Sequence, residues 1–324
     1  MLGCPRILLD SETATMSIPV LTDEHVSQLD YQDVVGWMQG AFQSHAEGTL
    51  DAPARVNSKL TQGEFSFTIG AQISPNPCMG FRVYDLAHLS SPTRSEVTAV
   101  FDSRDGSLTG IVTGKLLGAV RTGAIGGVAI ACLSKSNANI LALLGTGLQA
   151  RTQLRAACAV RHFHEIRVYS RNAANRNAFR EEMSEHVPVD LTLVNEPEQA
   201  VRDADVVICA TTSTQPVIKT DWLKKGVHLN NIGPKFKAAH ELPKDTYEQI
   251  PLLVTDSLKQ LNAFGDAFVL SDTPHHDRIC TLARMLGESA TRSQNDHDSS
   301  LFISVGLAGT EVVLAQRMFE SQLR

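Results

Sequence analysis

The clearest chemical motif of the chain is the run LLGTGLQA at 143–150. Gly145, Gly147 and Ala150 occupy the three small positions of the G-x-G-x-x-G/A pattern. These positions provide a tight turn, close backbone approach to a pyrophosphate, and close packing of a helix on a strand. An apolar run precedes the motif and a helical pattern follows it, so helix N–H groups would point at phosphates. The motif predicts dinucleotide binding, and the residues between the small positions, Thr146, Leu148 and Gln149, are included in the site.

The end of the next apolar run, EIRVYS at 165–170, bears on which nicotinamide cofactor fits. Enzymes that prefer NAD usually carry Asp or Glu there for the ribose 2′-hydroxyl. This chain has Ser170, Arg171 and Asn172 instead. A guanidinium can pair with a 2′-phosphate, while a hydroxyl and an amide can donate hydrogen bonds to it. Arg176 lies about one helical turn further on. The sequence therefore favours NADP(H), with NAD(H) as the alternative.

Two later strand ends are expected at the same edge of the sheet. One is ATTS, which places Ala210, Thr211, Thr212 and Ser213 where the carboxyl edge of a parallel sheet meets its cofactor. The other is Asp256, which closes IPLLVTD and could reach a ribose or a substrate amine.

The elements that must position these residues follow from the hydrophobic pattern. From Asn139 to Asp256, short apolar runs alternate with helical patterns, which is typical of a parallel doubly wound sheet. Upstream, a helix is predicted over 23–48, then mostly antiparallel strands over 65–73, 79–86, 96–102 and 106–114 with a hairpin turn at 103–106, and a small-residue helix over 115–133. Downstream, 288–300 is predicted as a polar loop and 301–323 as one long amphipathic helix. The predicted fold class is α/β, a Rossmann-type doubly wound parallel sheet plus a smaller α+β domain.

Composition excludes several classes of protein. The 324 residues carry a net charge of −6, which argues against a nucleic-acid binder that depends on bulk positive charge. The longest apolar stretch, 116–133, is interrupted by Arg121 and Thr122, so no membrane span is expected. Six cysteines are scattered without a CxxC pair, which indicates reduced thiols and a cytoplasmic protein. The His275–Asp277 run is predicted as a surface loop, and no metal site is expected.

Four segments together resemble one known family. They are RTGAIGGVA (121–129), GTGLQA (145–150), NNIGPKFKAAHEL (230–242) and SVGLAGTE (304–311). Their order and spacing are similar to those of the ornithine cyclodeaminase/mu-crystallin family. The resemblance implies a homodimer in which 1–125 with 305–324 binds substrate and dimerises, while 126–304 binds the dinucleotide. It also places Thr122, Ser304, Val305 and Gly306 beside the cofactor.

The resemblance assigns a substrate carboxylate to cationic residues. Arg55, Arg82 and Arg121 fall on the positions that hold an α-carboxylate in the family, and a guanidinium offers a bidentate fork for that group. Arg82 stands where many members have lysine, and Lys235 stands where the cyclodeaminases have an aspartate. Lys235 could donate a proton or bind a second anionic group. The candidate catalytic residues are Arg82, Lys235 and Asp256.

The expected activity is NADP(H)-dependent reduction of an α-imino acid to an amino acid. One alternative is an alanine-dehydrogenase-like or N-substituted amino-acid dehydrogenase or synthase. Ornithine cyclodeamination is a weaker alternative, because a lysine at position 235 would repel the ammonium group of ornithine. A non-catalytic NADPH-binding or small-ligand-binding protein of mu-crystallin type is the remaining one.

Overall fold

The computed structural model describes residues 18–88, 91, 93–288 and 298–322. Its first half contains one seven-stranded sheet and three helices. In chain order these are β1 (Val20–Leu21), α1 (Asp23–Ser27), α2 (Tyr31–Ala46), β2 (Leu50–Asp51), β3 (Val56–Leu60), β4 (Gly63–Gln72), β5 (Cys78–Asp85), β6 (Glu96–Phe101), β7 (Leu108–Gly114) and α3 (Leu116–Leu133). The order across the sheet is β1-β7-β6-β5-β4-β2, with β3 also paired to β4. Neighbours are antiparallel except β1 and β7, which confirms the predicted antiparallel sheet.

The single helix predicted over 23–48 is wrong. The segment forms α1 and α2, which are separated at residues 28–30. Asp30 takes an extended conformation, and its side chain accepts a hydrogen bond from the backbone N–H of Gln32 at 2.7 Å. This cap begins a new helix, because a residue at an N-cap has non-helical backbone angles.

The second half contains an eight-stranded parallel sheet. Its elements, with one small hairpin, are β8 (Ile140–Leu144), α4 (Leu148–Val160), β9 (Glu165–Tyr169), α5 (Ala173–Met183), β10 (Leu191–Leu193), α6 (Pro197–Val201), β11 (Val206–Cys209), β12 (His228–Asn231), β13 (Lys235–Phe236), β14 (Ala239–His240), α7 (Lys244–Gln249), β15 (Leu252–Thr255), α8 (Leu258–Asn262), β16 (Cys280–Thr281), α9 (Leu282–Glu288), β17 (Ser300–Ile303) and α10 (Thr310–Gln322). The order β10-β9-β8-β11-β12-β17-β15-β16 confirms the doubly wound sheet.

The long C-terminal helix predicted over 301–323 is also wrong. Ser300–Ile303 is β17, which pairs with β12 on one side and β15 on the other. All four residues are buried, as expected for a central parallel strand covered on both faces. The helix begins only at Thr310, so the run 304–306 lies in the loop between strand and helix. Most of the loop predicted at 288–300 lies outside the described residues.

Helices α3 and α10 hold the two halves together. α3 is long and apolar enough to cross a bilayer, but most of it is buried inside the protein, as in the core helix of a globular fold. It packs closely on α4 at Gly123, where a Cβ atom would lie 2.6 Å from the Thr152 carbonyl. α10 follows the last strand of the second sheet yet packs on β4, β5, β6 and β7 of the first. The domain boundaries 1–125, 126–304 and 305–324 remain a prediction.

Candidate active site

A cavity of about 340 Å³ lies where the first sheet, the start of α3 and the loop after β17 meet. Its wall contains ten of the residues that the sequence singled out from separate segments. They are Arg55, Arg82, Arg121, Thr122, Leu148, Gln149, Lys235, Ser304, Val305 and Gly306. Further wall residues include Tyr84, Arg94, Glu96 and Lys115, which the sequence analysis did not identify.

Two of the arginines converge at the loop after β17. Gly306 has φ +90°, and a Cβ there would lie 2.6 Å from Nη2 of Arg55 and 3.1 Å from Nη1 of Arg121. Arg55 also donates to the Tyr84 hydroxyl at 3.3 Å and to the Val305 carbonyl. Glycine at 306 therefore gives both the backbone angle and the space that the two guanidinium groups need.

Arg82 differs from the other two because carboxylates already surround it. Its guanidinium donates to Glu96 (Nε at 2.8 Å) and to Glu311 (Nη1 at 3.0 Å), and it lies over the Tyr84 ring. These bonds occupy both ends of the guanidinium group. The structure therefore supports Arg82 as a positioning group and does not support it as a proton-transfer group.

Glu311 lies outside the cavity wall and bridges two of the arginines in it. It accepts from Arg82 and also pairs with Arg121. Burial alone would raise the pKa of Glu311, but the Arg121 and Arg82 charges outweigh burial and lower that pKa to about 2. The quoted segment SVGLAGTE contained this residue. Its role was missed because the segment was predicted as part of one long amphipathic helix over 301–323.

Lys235 lies at the start of β13 and is buried in the cavity wall. Its Nζ donates to the Ile232 carbonyl at 3.2 Å. Burial lowers the pKa of Lys235 to about 8, although the Glu241 and Asp256 charges partly oppose that shift. A lysine with this pKa can exist in both protonation states near neutral pH, so it is suited to donate a proton.

Asp256 lies below the cavity, outside its wall. Its carboxylate accepts from the Val305 N–H at 2.9 Å and from the Gly306 N–H at 2.8 Å. Burial raises the pKa of Asp256, while these two N–H groups lower it. Asp256 was predicted to contact a ribose or a substrate amine directly. In the structure its carboxylate instead holds the loop that faces Arg55 and Arg121.

A second cleft of about 270 Å³ runs along the carboxyl edge of the parallel sheet. Predicted residues in its wall are Gly145, Thr146, Gly147, Ser170, Arg171, Asn172, Ala210, Thr211, Thr212 and Ser213. Gly145 has φ +110°, which makes the tight turn, and Ala150 is a fully buried residue in the first turn of α4. A Cβ at Gly147 would contact nothing within 4 Å, so the backbone there is open to a pyrophosphate. This geometry fits a dinucleotide.

The far end of the cleft carries the residues predicted to select the cofactor. Arg171 is exposed, and no described residue pairs with its guanidinium. None of the described wall residues is Asp or Glu. Arg176 does not face the cleft, because its guanidinium donates to the Ser170 carbonyl and to Asn195 Oδ1. Arg176 therefore supports the turn after β9 instead of binding the nucleotide directly.

Glu241 links the cleft to the cavity and was not identified from the sequence. One of its oxygens accepts from the Thr211 N–H at 3.0 Å, and the other accepts from the Gly233 N–H at 2.6 Å. The side chain is fully buried, and burial raises its pKa. Glu241 thus fixes the cofactor strand end and the segment leading to Lys235 relative to each other.

The chain matches the model of the ornithine cyclodeaminase/mu-crystallin family over residues 17–324. A Δ1-pyrroline-2-carboxylate reductase from Bacillus cereus is 30% identical over 242 residues, 72% of this chain and 73% of that protein. Mouse ketimine reductase mu-crystallin is 27% identical over 230 residues, 71% of this chain and 70% of that protein.

Solved structures share the fold over nearly the whole chain. Thermococcus litoralis Δ1-pyrroline-2-carboxylate reductase, in complex with NADH and L-proline, has a TM-score of 0.82 at 26% identity, covering 94% of this chain and 97% of that one. An archaeal alanine dehydrogenase dimer with bound NAD has a TM-score of 0.80 at 22% identity, covering 94% and 96%. By sequence, fold and site, this chain belongs to the ornithine cyclodeaminase/mu-crystallin family.

Proposed function

We propose that the protein is an NADP(H)-dependent oxidoreductase that reduces an α-imino acid to the corresponding amino acid. The observation that carries the proposal is that the glycine-rich turn borders both cavities. Gly147 lines the nucleotide cleft, while Leu148 and Gln149 line the arginine-rich cavity. A dinucleotide bound along the cleft would therefore extend from Gly147 towards the arginine-rich cavity. The relatives named for imine reduction support the same chemistry.

In the proposed reduction, different cavity residues bind the substrate and donate the proton. NADPH, when bound, supplies the hydride that attacks the imine carbon. Arg55 and Arg121 bind the α-carboxylate and orient that carbon, which is a large part of catalysis by positioning. Lys235 donates a proton to the imine nitrogen, so the C=N bond becomes CH–NH and the lysine becomes neutral. Asp256 acts through the loop at 305–306.

NADP(H) is the preferred cofactor in this proposal. In this proposal Arg171, Ser170 and Asn172 of the cleft wall bind the 2′-phosphate, and the described wall offers no carboxylate to repel it. Ornithine cyclodeamination is disfavoured, because the buried cation Lys235 would face the ammonium group of ornithine.

A homodimer is proposed through the outer face of the first sheet. Along β4 the usual pattern is inverted: Phe65, Phe67 and Ile69 are exposed, while Ser66 and Thr68 are buried. Val56 of β3 pairs with Phe67 and is also exposed. We call these four apolar residues the outer apolar face. A second copy of the chain would cover it, as contiguous exposed apolar patches commonly mark interfaces.

The test follows loss of NADPH absorbance with a panel of imines, run in parallel with NADH. The panel contains the cyclic imines derived from lysine and ornithine, pyruvate with ammonia or methylamine, and oxaloacetate with ammonia. Turnover of at least one imine, faster with NADPH, is expected. Tight NADPH binding without turnover of any imine would contradict the proposed activity and favour a binding protein.

A further inference from the structure

The backbone of one buried residue joins the nucleotide cleft to the segment that carries Lys235. Glu241 follows β14, which pairs with β13 so that His240 lies opposite Lys235. The N–H of Glu241 donates to the Pro234 carbonyl at 3.0 Å, and its carbonyl accepts from the Val217 N–H at 2.9 Å. Val217 lines the nucleotide cleft. The backbone of Glu241 therefore connects the cleft wall to the residue before Lys235.

The side chain of Glu241 makes the same connection a second time. Its Oε2 atom accepts from the Thr211 N–H at 3.0 Å and from the Thr211 hydroxyl at 2.9 Å. Its Oε1 atom accepts from the Gly233 N–H at 2.6 Å and from Nδ2 of Asn231 at 2.7 Å. The Tyr247 hydroxyl donates to Asn231 Oδ1 at 2.9 Å, which fixes the orientation of that amide. Thr211 belongs to the cleft wall and Gly233 to the segment before β13, so one carboxylate bridges the two sites.

The surroundings of this carboxylate hold it in place and favour its ionised form. A Cβ atom at Gly233 would clash with the Thr211 carbonyl and with the Glu241 carboxylate, so the three segments are in close contact. All four groups that face the two oxygens are donors, which a carboxylate satisfies and a protonated acid does not. These donors therefore act against burial, which raises the pKa of Glu241.

The charge of Glu241 acts on the Lys235 ammonium. Burial has the largest effect and lowers the pKa of Lys235 to about 8; Glu241 and Asp256 favour the protonated amine, and Arg55 disfavours it. Burial also raises the pKa of two further groups near Glu241, which keeps them neutral: they are Cys209 and Tyr247. Glu241 thus supplies a negative charge to Lys235 from outside the cavity wall.

We propose that Glu241 is a positioning residue of the reduction, which holds the Lys235 ammonium in place relative to the nucleotide bound along the cleft. This inference rests on the proposed function. Glu241 lies outside both cavity walls, so it acts through Thr211 on one side and Lys235 on the other. Loss of its carboxylate should therefore change cofactor binding and proton donation together. A merely structural side chain would instead lower stability and leave the titration of Lys235 unchanged.

The first test measures the titration of Lys235 in Glu241→Gln and needs no turnover. Competitive labelling with acetic anhydride over a range of pH, read at Lys235 by peptide mass spectrometry, reports the neutral fraction of that amine. Glutamine has nearly the size of glutamate but no charge, so the labelling midpoint should move to lower pH. Labelling at about pH 7 should rise by about threefold or more. Glu248→Gln, at an exposed position of α7, is the matched control and should leave the midpoint unchanged. An unchanged midpoint in folded Glu241→Gln overturns the inference.

Cofactor affinity tests the other end of the bridge. In Glu241→Gln the amide NH₂ group faces a donor, so the strand end at Thr211 is held less well and the Kd for NADPH should rise by about tenfold. Glu241→Asp keeps the charge but is one methylene shorter. It should raise the Kd as well, while its Lys235 midpoint stays closer to that of the wild type. Circular dichroism verifies the fold, and Glu241→Asp carries the test if Glu241→Gln does not fold. A wild-type Kd for NADPH in the folded variants overturns the inference.

Imine turnover separates this inference from the proposed function. If the wild type reduces an imine, the limb of its pH profile near pH 8 should move to lower pH in Glu241→Gln, in parallel with the labelling midpoint. If an imine is reduced but neither the midpoint nor the Kd changes in the variants, the positioning role alone is rejected. If both change and no imine is reduced, the reductase function fails, while the link from the cleft through Glu241 to Lys235 is supported.

Discussion

The arginines of the cavity differ in how much of each guanidinium group is already bound to carboxylates. Arg82 has both ends of its guanidinium bound to carboxylates, while Arg55 and Arg121 meet at Gly306 in the cavity wall. Buried ion pairs cost desolvation unless geometry and hydrogen bonds are good. Glu311, with a pKa lowered to about 2, stays ionised over the working range of pH. The pair Arg82–Glu311 therefore acts as fixed scaffolding for Arg121.

Replacement of Arg121 tests carboxylate binding. Arg121→Met should lower kcat/KM for the imino acid by about 100-fold, mainly through KM, because a bidentate charge-assisted bond is lost. The Kd for NADPH should change little, since Arg121 lies outside the nucleotide cleft. Steady-state kinetics and NADPH fluorescence measure both quantities. A parallel loss of NADPH affinity would show that Arg121 is structural.

The pH profile tests Lys235. Only the protonated amine can donate, and burial lowers its pKa to about 8, so reduction should slow as pH rises through about 8. Below that pH the lysine is protonated and this limb of the profile is flat. Lys235→Met should be much slower and should lose the limb near pH 8. If Lys235→Met retains that limb, another group supplies the proton.

Arg171 tests cofactor selection. Arg171→Asp removes the cation and adds an anion at the end of β9, so the Kd for NADPH should rise by about tenfold or more, while that for NADH changes less. Fluorescence titration with both cofactors measures the ratio. Arg180→Asp, on the following helix and outside the described cleft wall, is the matched charge control. If the ratio does not change in Arg171→Asp, the 2′-phosphate lies elsewhere.

At the scale of elements, the packing of α3 on α4 sets the distance between the two cavities. Gly123 lies where a side chain would meet the Thr152 backbone, and the neighbouring Thr122 carbonyl accepts from Gln153 at 3.0 Å. The glycine-rich turn that starts α4 and the arginine-bearing turn of α3 are therefore fixed together. The sequence predicted a small-residue helix over 115–133, but not which helix would pack against it.

Substitution of Gly123 tests this packing. Gly123→Ala should lower the free energy of unfolding by about 1–3 kcal/mol through overpacking and should reduce activity. Gly36→Ala is the matched control, since Gly36 is an exposed position of α2 with nothing within 4 Å of a new Cβ. It should stabilise the protein by about 0.5–1 kcal/mol through helix propensity. Thermal and denaturant unfolding check both; a neutral Gly123→Ala would mean that the helices can separate without cost.

The sequence predicted the regular parts of the fold and missed those that depend on context. Two of its patterns, the alternation of apolar runs with helical segments and the spacing of the glycines, can be recognised within a short stretch of sequence. The parallel sheet and the turn at Gly145 were therefore predictable. The strand Ser300–Ile303 was missed because a short apolar run has no period that separates it from a helix. Glu241 and Glu311 were missed for a related reason: what distinguishes them is burial against distant segments, which local pattern does not encode.

At the scale of the whole molecule, the outer apolar face predicts the assembly. Phe67→Asp should convert the proposed dimer to a monomer, because two like charges would be buried against each other at a two-fold interface. Val20→Asp on β1, at the opposite edge of the sheet, is the apolar control and should leave the assembly unchanged. Light scattering after size exclusion measures the mass. A wild-type monomer would contradict the proposed interface. The cytoplasmic location remains a prediction.

The position of α10 also constrains how the chain acquires its shape during synthesis. The first sheet is translated early, yet the helix that covers β4–β7 comes from residues 310–322, the end of the described chain. While the ribosome makes the parallel sheet, the apolar surface that later receives Val312, Leu314 and Met318 has no cover from its own chain. The N-terminal region therefore completes its core only after residues 310–322 have been made, and its apolar surface stays accessible to chaperones until then.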